Sequence, residues 1–88
     1  MSIVSFDQLP FVVTVAGRLQ PWTPFRTNDY QVDCNTGRLY FSQLHSLMTA
    51  TDNPVHLSRV LQAQVEVGRW EGIEIGFAQA MSEALLAN

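Results

Sequence analysis

Three side chains in this sequence have the chemistry of a nucleophile or an imidazole catalyst: Cys34, His45 and His56. An attacking thiolate needs a cationic, partly open setting. Cys34 instead follows Asp33, and every cation of the chain is an Arg; there is no Lys. A small buried hydrophobe is the better reading of Cys34. The two histidines fall on separate predicted helices. With Cys34 they would offer three nitrogen or sulfur donors, but without the close paired spacing of a zinc site. Asp7, Asp29, Asp33, Asp52 and the four glutamates form no recognisable acid/base pair. Asp29 reads as a turn residue and Asp52 as a charge at a helix N-terminus. The glycines lack the order of a phosphate-binding loop. The sequence therefore predicts no catalytic, metal-binding or cofactor-binding residue.

Arg18, Arg26 and Arg38, with Trp22 and Tyr40, contain the residue types that stack on and neutralise a nucleic acid. Against that stands a net charge of −3, where phosphate binding needs clustered cations. No nucleic acid is expected as a partner. No membrane is expected either: the longest apolar run, Phe11 to Val13, is far short of a span, and the start of the chain lacks the features of a signal peptide. A single cysteine excludes an internal disulfide and suits a reducing compartment, so a cytoplasmic location is expected. The charged fraction is 15%, below the ~25% typical of globular domains. That leaves more neutral surface than usual, which favours association.

Eighty-eight residues are enough for one domain, spanning 1–88. Ser5-Phe6-Asp7-Gln8 has the form of a capping box and starts one helical turn, which Pro10 stops. Phe11 to Leu19 alternates as a strand, with Phe11, Val13, Val15 and Leu19 on one face. Pro21 and Pro24 make the segment 20–28 an irregular connection. It carries Trp22, Phe25 and Arg26, types that interfaces favour; the competing reading tucks Trp22 and Phe25 under the loop as a cap on the core. Residues 29–42 read as a hairpin turning at Asn35-Thr36-Gly37. A four-residue loop gathers Tyr30, Val32, Cys34, Leu39 and Phe41 on one face. Ser42 then caps a short helix to Thr51. Asn53 and Pro54 open another helix bearing Leu57, Val60, Leu61 and Val65.

The last third is organised by a ladder of small residues: Gly68, Gly72, Gly76, Ala80 and Ala84. Beside it runs an apolar stripe: Val67, Trp70, Ile73, Phe77, Met81 and Leu85. Both have helical spacing, and a ladder of minimal side chains lets another backbone come close. The opposing reading makes Val65–Val67 and Ile73–Ile75 two short strands, because each interior glycine costs a helix roughly 1 kcal/mol.

These observations predict an α+β fold. A three-stranded antiparallel sheet (11–19, 30–34, 38–41), extended by a second short hairpin if 64–76 is extended, packs on two or three helices of the C-terminal half. The expected function is that of a small, acidic, non-enzymatic protein-binding module that occupies another protein's surface, alone or as a homodimer. Inhibitors, immunity proteins and phage-encoded anti-host factors are proteins of that class. Its partner-binding residues are expected to be Trp22, Phe25, Arg26, Tyr40, Gly72 and Gly76. The alternative is a small-ligand or enzymatic domain with a pocket near Tyr30, Cys34 and His45.

Overall fold

The computed structural model describes residues 5–87. The chain enters through a single 3-10 turn at Phe6–Gln8. Gln8 closes it as expected: its side-chain oxygen accepts from the Ser5 N–H at 3.2 Å. Two short strands follow, β1 (Val13–Val15) and β2 (Arg18–Gln20), then three helices, α1 (Tyr30–Thr51), α2 (Val55–Val67) and α3 (Gly72–Leu86). The class is α+β, as read from the sequence. The three-stranded sheet is not what forms.

The expected first strand folds back on itself. β1 and β2 pair antiparallel with Val13 opposite Gln20 and Val15 opposite Arg18. Ala16 and Gly17 make the turn, both at positive φ (51° and 77°), the combination that matches the twist of a two-residue hairpin. Leu19 is thereby opposite Thr14, on the other face from Val13 and Val15.

The second correction is larger. Residues 29–42 form no hairpin; they are the first half of α1. Asp29 is an N-cap, its carboxylate accepting the N–H groups of Gln31 and Val32 at 3.0 and 3.2 Å. The buried residues of the helix, Asp33, Cys34, Gly37, Tyr40, Phe41, Leu44 and Leu47, recur at the helical period. Ser42 lies inside this helix and caps nothing. Asp52 ends it in the left-handed conformation at φ 52°, its N–H donating to Met48. Asp52 is therefore a C-terminal residue of α1 and not an N-terminal helix charge.

The other two helices follow the sequence closely. The Asn53 side chain accepts from the Val55 N–H at 3.1 Å and opens α2. Gly68 closes it at φ 74°. The ladder segment is helical from Gly72 onward, so the strand reading of 64–76 does not hold.

The core lies where α1, α3 and the inner face of α2 meet the N-terminal segment. Phe6, Leu9, Phe11 and Trp22 come from that segment, Tyr40, Phe41, Leu44 and Leu47 from α1, Val60 and Ala63 from α2, and Ile73 and Phe77 from α3. Phe77 meets Trp22 and Phe41 edge-on at 5.3 and 5.4 Å, a favoured geometry for aromatic pairs. α1 and α3 make the closest packing in the fold. A methyl group on Gly76 would stand 2.7 Å from the Cys34 carbonyl carbon, and one on Gly37 would stand 2.8 Å from the Phe77 nitrogen. The two helices approach backbone to backbone because both glycines lack side chains.

Candidate functional site

Two features stand out when the side chains are placed on this frame. The first is a buried carboxylate. Glu74 lies in the first turn of α3 and is 0% exposed. Its Oε1 accepts from Arg26 and from the Glu71 N–H, both at 2.9 Å. Its Oε2 accepts from Arg26 at 2.6 Å and from Trp22 Nε1 at 2.8 Å. Burial pushes the carboxyl pKa up, but the hydrogen bonds from Arg26, Trp22 and the backbone outweigh it and hold Glu74 below the usual range. Arg26 is raised by the same hydrogen bond, against the opposing effect of its own burial.

Four donors fill the acceptor capacity of this carboxylate. It has no lone pair to offer a proton and no opening to solvent. Its role is therefore to fasten the irregular connection of residues 20–28 onto the start of α3. Thr27 adds a second fastening: its N–H and hydroxyl donate to Asp33 at 3.0 and 2.7 Å.

The expected partner-binding residues are thus separated. Trp22 and Tyr40 are buried in the core. The reading that tucked Trp22 and Phe25 under the loop holds for Trp22, whose indole N–H finds an acceptor in Glu74, and fails for Phe25. Arg26 is committed to Glu74. Gly72 and Gly76 are buried against α1, so the close approach that the ladder announced occurs within the chain. Phe25 alone stands out, 76% exposed.

Of the residues of the alternative pocket, the structure brings two close together. Tyr30 and Cys34 are one turn apart on α1, and the neighbouring Cys34 thiol raises the Tyr30 phenol. His45 lies about three turns further along α1, stacked on Phe41 at 5.7 Å. His56 sits on α2 against Phe6 at 4.9 Å. No group of three His, Cys, Asp or Glu among the described residues is close enough to hold a metal ion. The arginine–aromatic surface is likewise dispersed: Arg38 pairs with Glu83 of α3, and Trp22 and Tyr40 face inward. Among the described residues no helix is long and apolar enough to cross a membrane.

The second feature is an apolar face around Trp70, in the connection between α2 and α3. Trp70 is 63% exposed, and Val65, which shares a cavity wall with it, is 80% exposed. Beside Trp70 a cavity of about 290 Å³ opens between α2 and α3, walled by Leu61, Val65, Phe77, Ala78 and Met81. Gln64 also lines it, and its buried Nε2 has no hydrogen-bond partner among the described residues. On the other side of Trp70 a shallower depression runs along Ile75, Ala78, Gln79 and Ser82. The nearest cations and anions neutralise one another: Arg69 pairs with Glu71 at 2.8 Å.

Sequence reasoning placed Trp70 in the apolar stripe of one continuous helical face. The signal against that was Gly68, a helix stop two residues earlier, which takes Trp70 out of the helical register of the stripe. Comparison with protein-family models, curated proteins and solved structures finds no significant match to this chain.

Proposed function

We propose that this protein is a non-enzymatic protein-binding module whose contact face is the apolar surface around Trp70. The observation that carries this reading is the coincidence of an exposed Trp with an apolar cavity at its side. Trp is the side chain most enriched among residues that dominate binding energy. An exposed apolar patch with its charges already paired is cheap to desolvate and marks an interaction site. The Trp70 face replaces the expected set built on Trp22, Tyr40, Gly72 and Gly76, all of which the fold uses internally. The binding reading is also supported by the Glu74 carboxylate being saturated by hydrogen bonds and the Cys34 thiol being buried.

The test is site-specific photo-crosslinking in an extract of the source cells. A photoreactive phenylalanine at Trp70 or Val65 should give a discrete protein adduct, and the same group at Ser46, exposed on α1, should not. Adducts of equal yield from all three positions, or from none, would overturn the assignment of this face.

A further inference from the structure

The cavity beside Trp70 holds a polar group that the fold does not use. Gln64 lies on the inner side of α2 and is 6% exposed. Its main-chain oxygen accepts from the Gly68 N–H at the end of the helix. Its side-chain Nε2 is buried and has no hydrogen-bond partner among the described residues. Interior polar groups are paired with few exceptions, and a donor left unmade there costs more than a made bond contributes. Water is poorly suited to supply the missing acceptor. A trapped water is held by roughly two to four polar contacts, but Leu61, Val65, Phe77, Ala78 and Met81 make the surrounding walls apolar.

We propose that the cavity is a binding site for a small, neutral, apolar molecule of about two rings, with one carbonyl-type acceptor that takes the hydrogen bond of Gln64 Nε2. The size follows from the space. The cavity measures about 290 Å³, and an apolar cavity of about 150 Å³ takes a single benzene ring. Buried Phe77 forms the floor, and exposed Val65 and Trp70 stand at the rim. The terminal torsion of a Gln side chain is soft, so the amide can turn its N–H toward an occupant. Neutrality follows from the lining. Arg69 is the one charged residue that reaches the cavity, and it is committed to Glu71. An ionised ligand would therefore lose its water without gaining a free counter-charge.

A side chain of a protein partner is the competing occupant, and it matches the cavity less well. Phe, Leu, Ile and Met bring no strong acceptor. Tyr brings a single ring, and Trp, with two rings, brings a donor alone. The small molecule would sit beside Trp70 whether or not a protein covers that face, so the site does not depend on the protein-binding reading.

The experiment compares two probes of nearly one shape on the purified chain: 2-acetylnaphthalene, which has the carbonyl, and 2-ethylnaphthalene, which lacks it. Calorimetry reads affinity, and methyl NMR reads position. The Met81 methyl signal should move, and that of Met48 on α1 should not. The ketone should bind about tenfold more tightly, the worth of one hydrogen bond to an otherwise unpaired donor. Gln64→Leu should abolish or invert that preference while keeping the affinity for the hydrocarbon. Ala78→Leu, at a half-buried wall position, is the second variant; it fills the cavity and should weaken both probes roughly tenfold or more. Absence of binding at about 0.1 mM overturns the proposal. So does a ketone preference that persists in Gln64→Leu, or a shift of Met48 in place of Met81. Equal affinities of the two probes in the wild type also overturn it, and would make the cavity a plain apolar socket suited to a partner's side chain. Crosslinking in cell extract tests the protein-binding reading separately.

Discussion

Gly76→Ala adds one methyl group at the place where α1 and α3 are closest. The added carbon would lie 2.7 Å from the Cys34 carbonyl carbon and 2.8 Å from its Cα, and nearer still to its carbonyl oxygen. All three neighbours are backbone, so no side chain can swing aside; the helices must separate. Overpacking costs typically 1–3 kcal/mol, occasionally more, and a rigid backbone obstacle puts this site at the upper end. Alanine returns up to about 1 kcal/mol through its better helix propensity. The net expectation is destabilisation by about 2 kcal/mol. For a domain of this size that lowers Tm by roughly 8–16 °C, measurable by circular dichroism with urea unfolding as the check. Gly37→Ala should behave alike, because its methyl would meet the backbone of Ile73 and Phe77. A Gly76→Ala variant as stable as the wild type, or more so, would refute the close crossing of the two helices.

Other outcomes follow from the same contacts. Glu74→Gln leaves the Arg26 guanidinium without its buried counter-charge and should cost about 3–5 kcal/mol, read by urea unfolding. Because the Glu74 carboxyl is lowered on folding, its contribution is fully present above the unfolded carboxyl pKa and is lost as pH falls through the lower folded value; the acid limb of a stability–pH curve should flatten in Glu74→Gln. His56 is lowered by burial and by Arg59, so the unfolded chain takes up its proton first and stability should fall as pH drops through the ordinary imidazole range; His56→Gln should remove that slope. Asp52→Gly relieves a left-handed φ of 52° and removes a carboxylate from the negative end of α1, and should raise stability by about 1 kcal/mol, seen as a higher Tm.

The helices of the C-terminal half were legible because their signals are local. Asn53-Pro54 opens α2, and the three-and-four spacing from Ile73 to Leu85 belongs to α3; Gly68, read as the first rung of the ladder, instead closes α2. α1 was misread for one reason. Gly37 follows Asn35 and Thr36, and that tripeptide has the composition of a turn. A glycine demanded by a crossing helix is indistinguishable in sequence from one demanded by positive φ, since both positions require only that no Cβ be present. What separates them is the other helix, Ile73 to Phe77, some forty residues away. The period was nevertheless written in the chain. Asp29, Cys34, Gly37, Phe41, Leu44 and Met48 carry a cap and a helical stripe that continue straight through the supposed turn. The Trp22–Arg26–Glu74 cluster was invisible for a related reason: it joins residues about fifty positions apart, and no spacing rule reaches that far.

The distribution of charge links the interior to the proposed contact face. Arg26 is drawn to Glu74 and Glu71, Arg38 to Glu83, and Arg69 to Glu71. Arg59 lies over the Phe6 ring at 4.2 Å. Three of these four arginines neutralise carboxylates on or beside α3, the helix that the sequence makes most apolar. The pairing holds the start of α3 to the connection and its C-terminal half to α1. It also leaves the outer surface from Trp70 to Leu85 without an uncompensated charge. Covering an ion requires stripping its water, at a cost that a partner must repay with matched groups; covering Ile75, Ala78 and Leu85 requires nothing of the kind. The low charged fraction is thus concentrated in effect: the few ions present stabilise one side of α3 and, by being used there, leave the other side suited to a second protein surface.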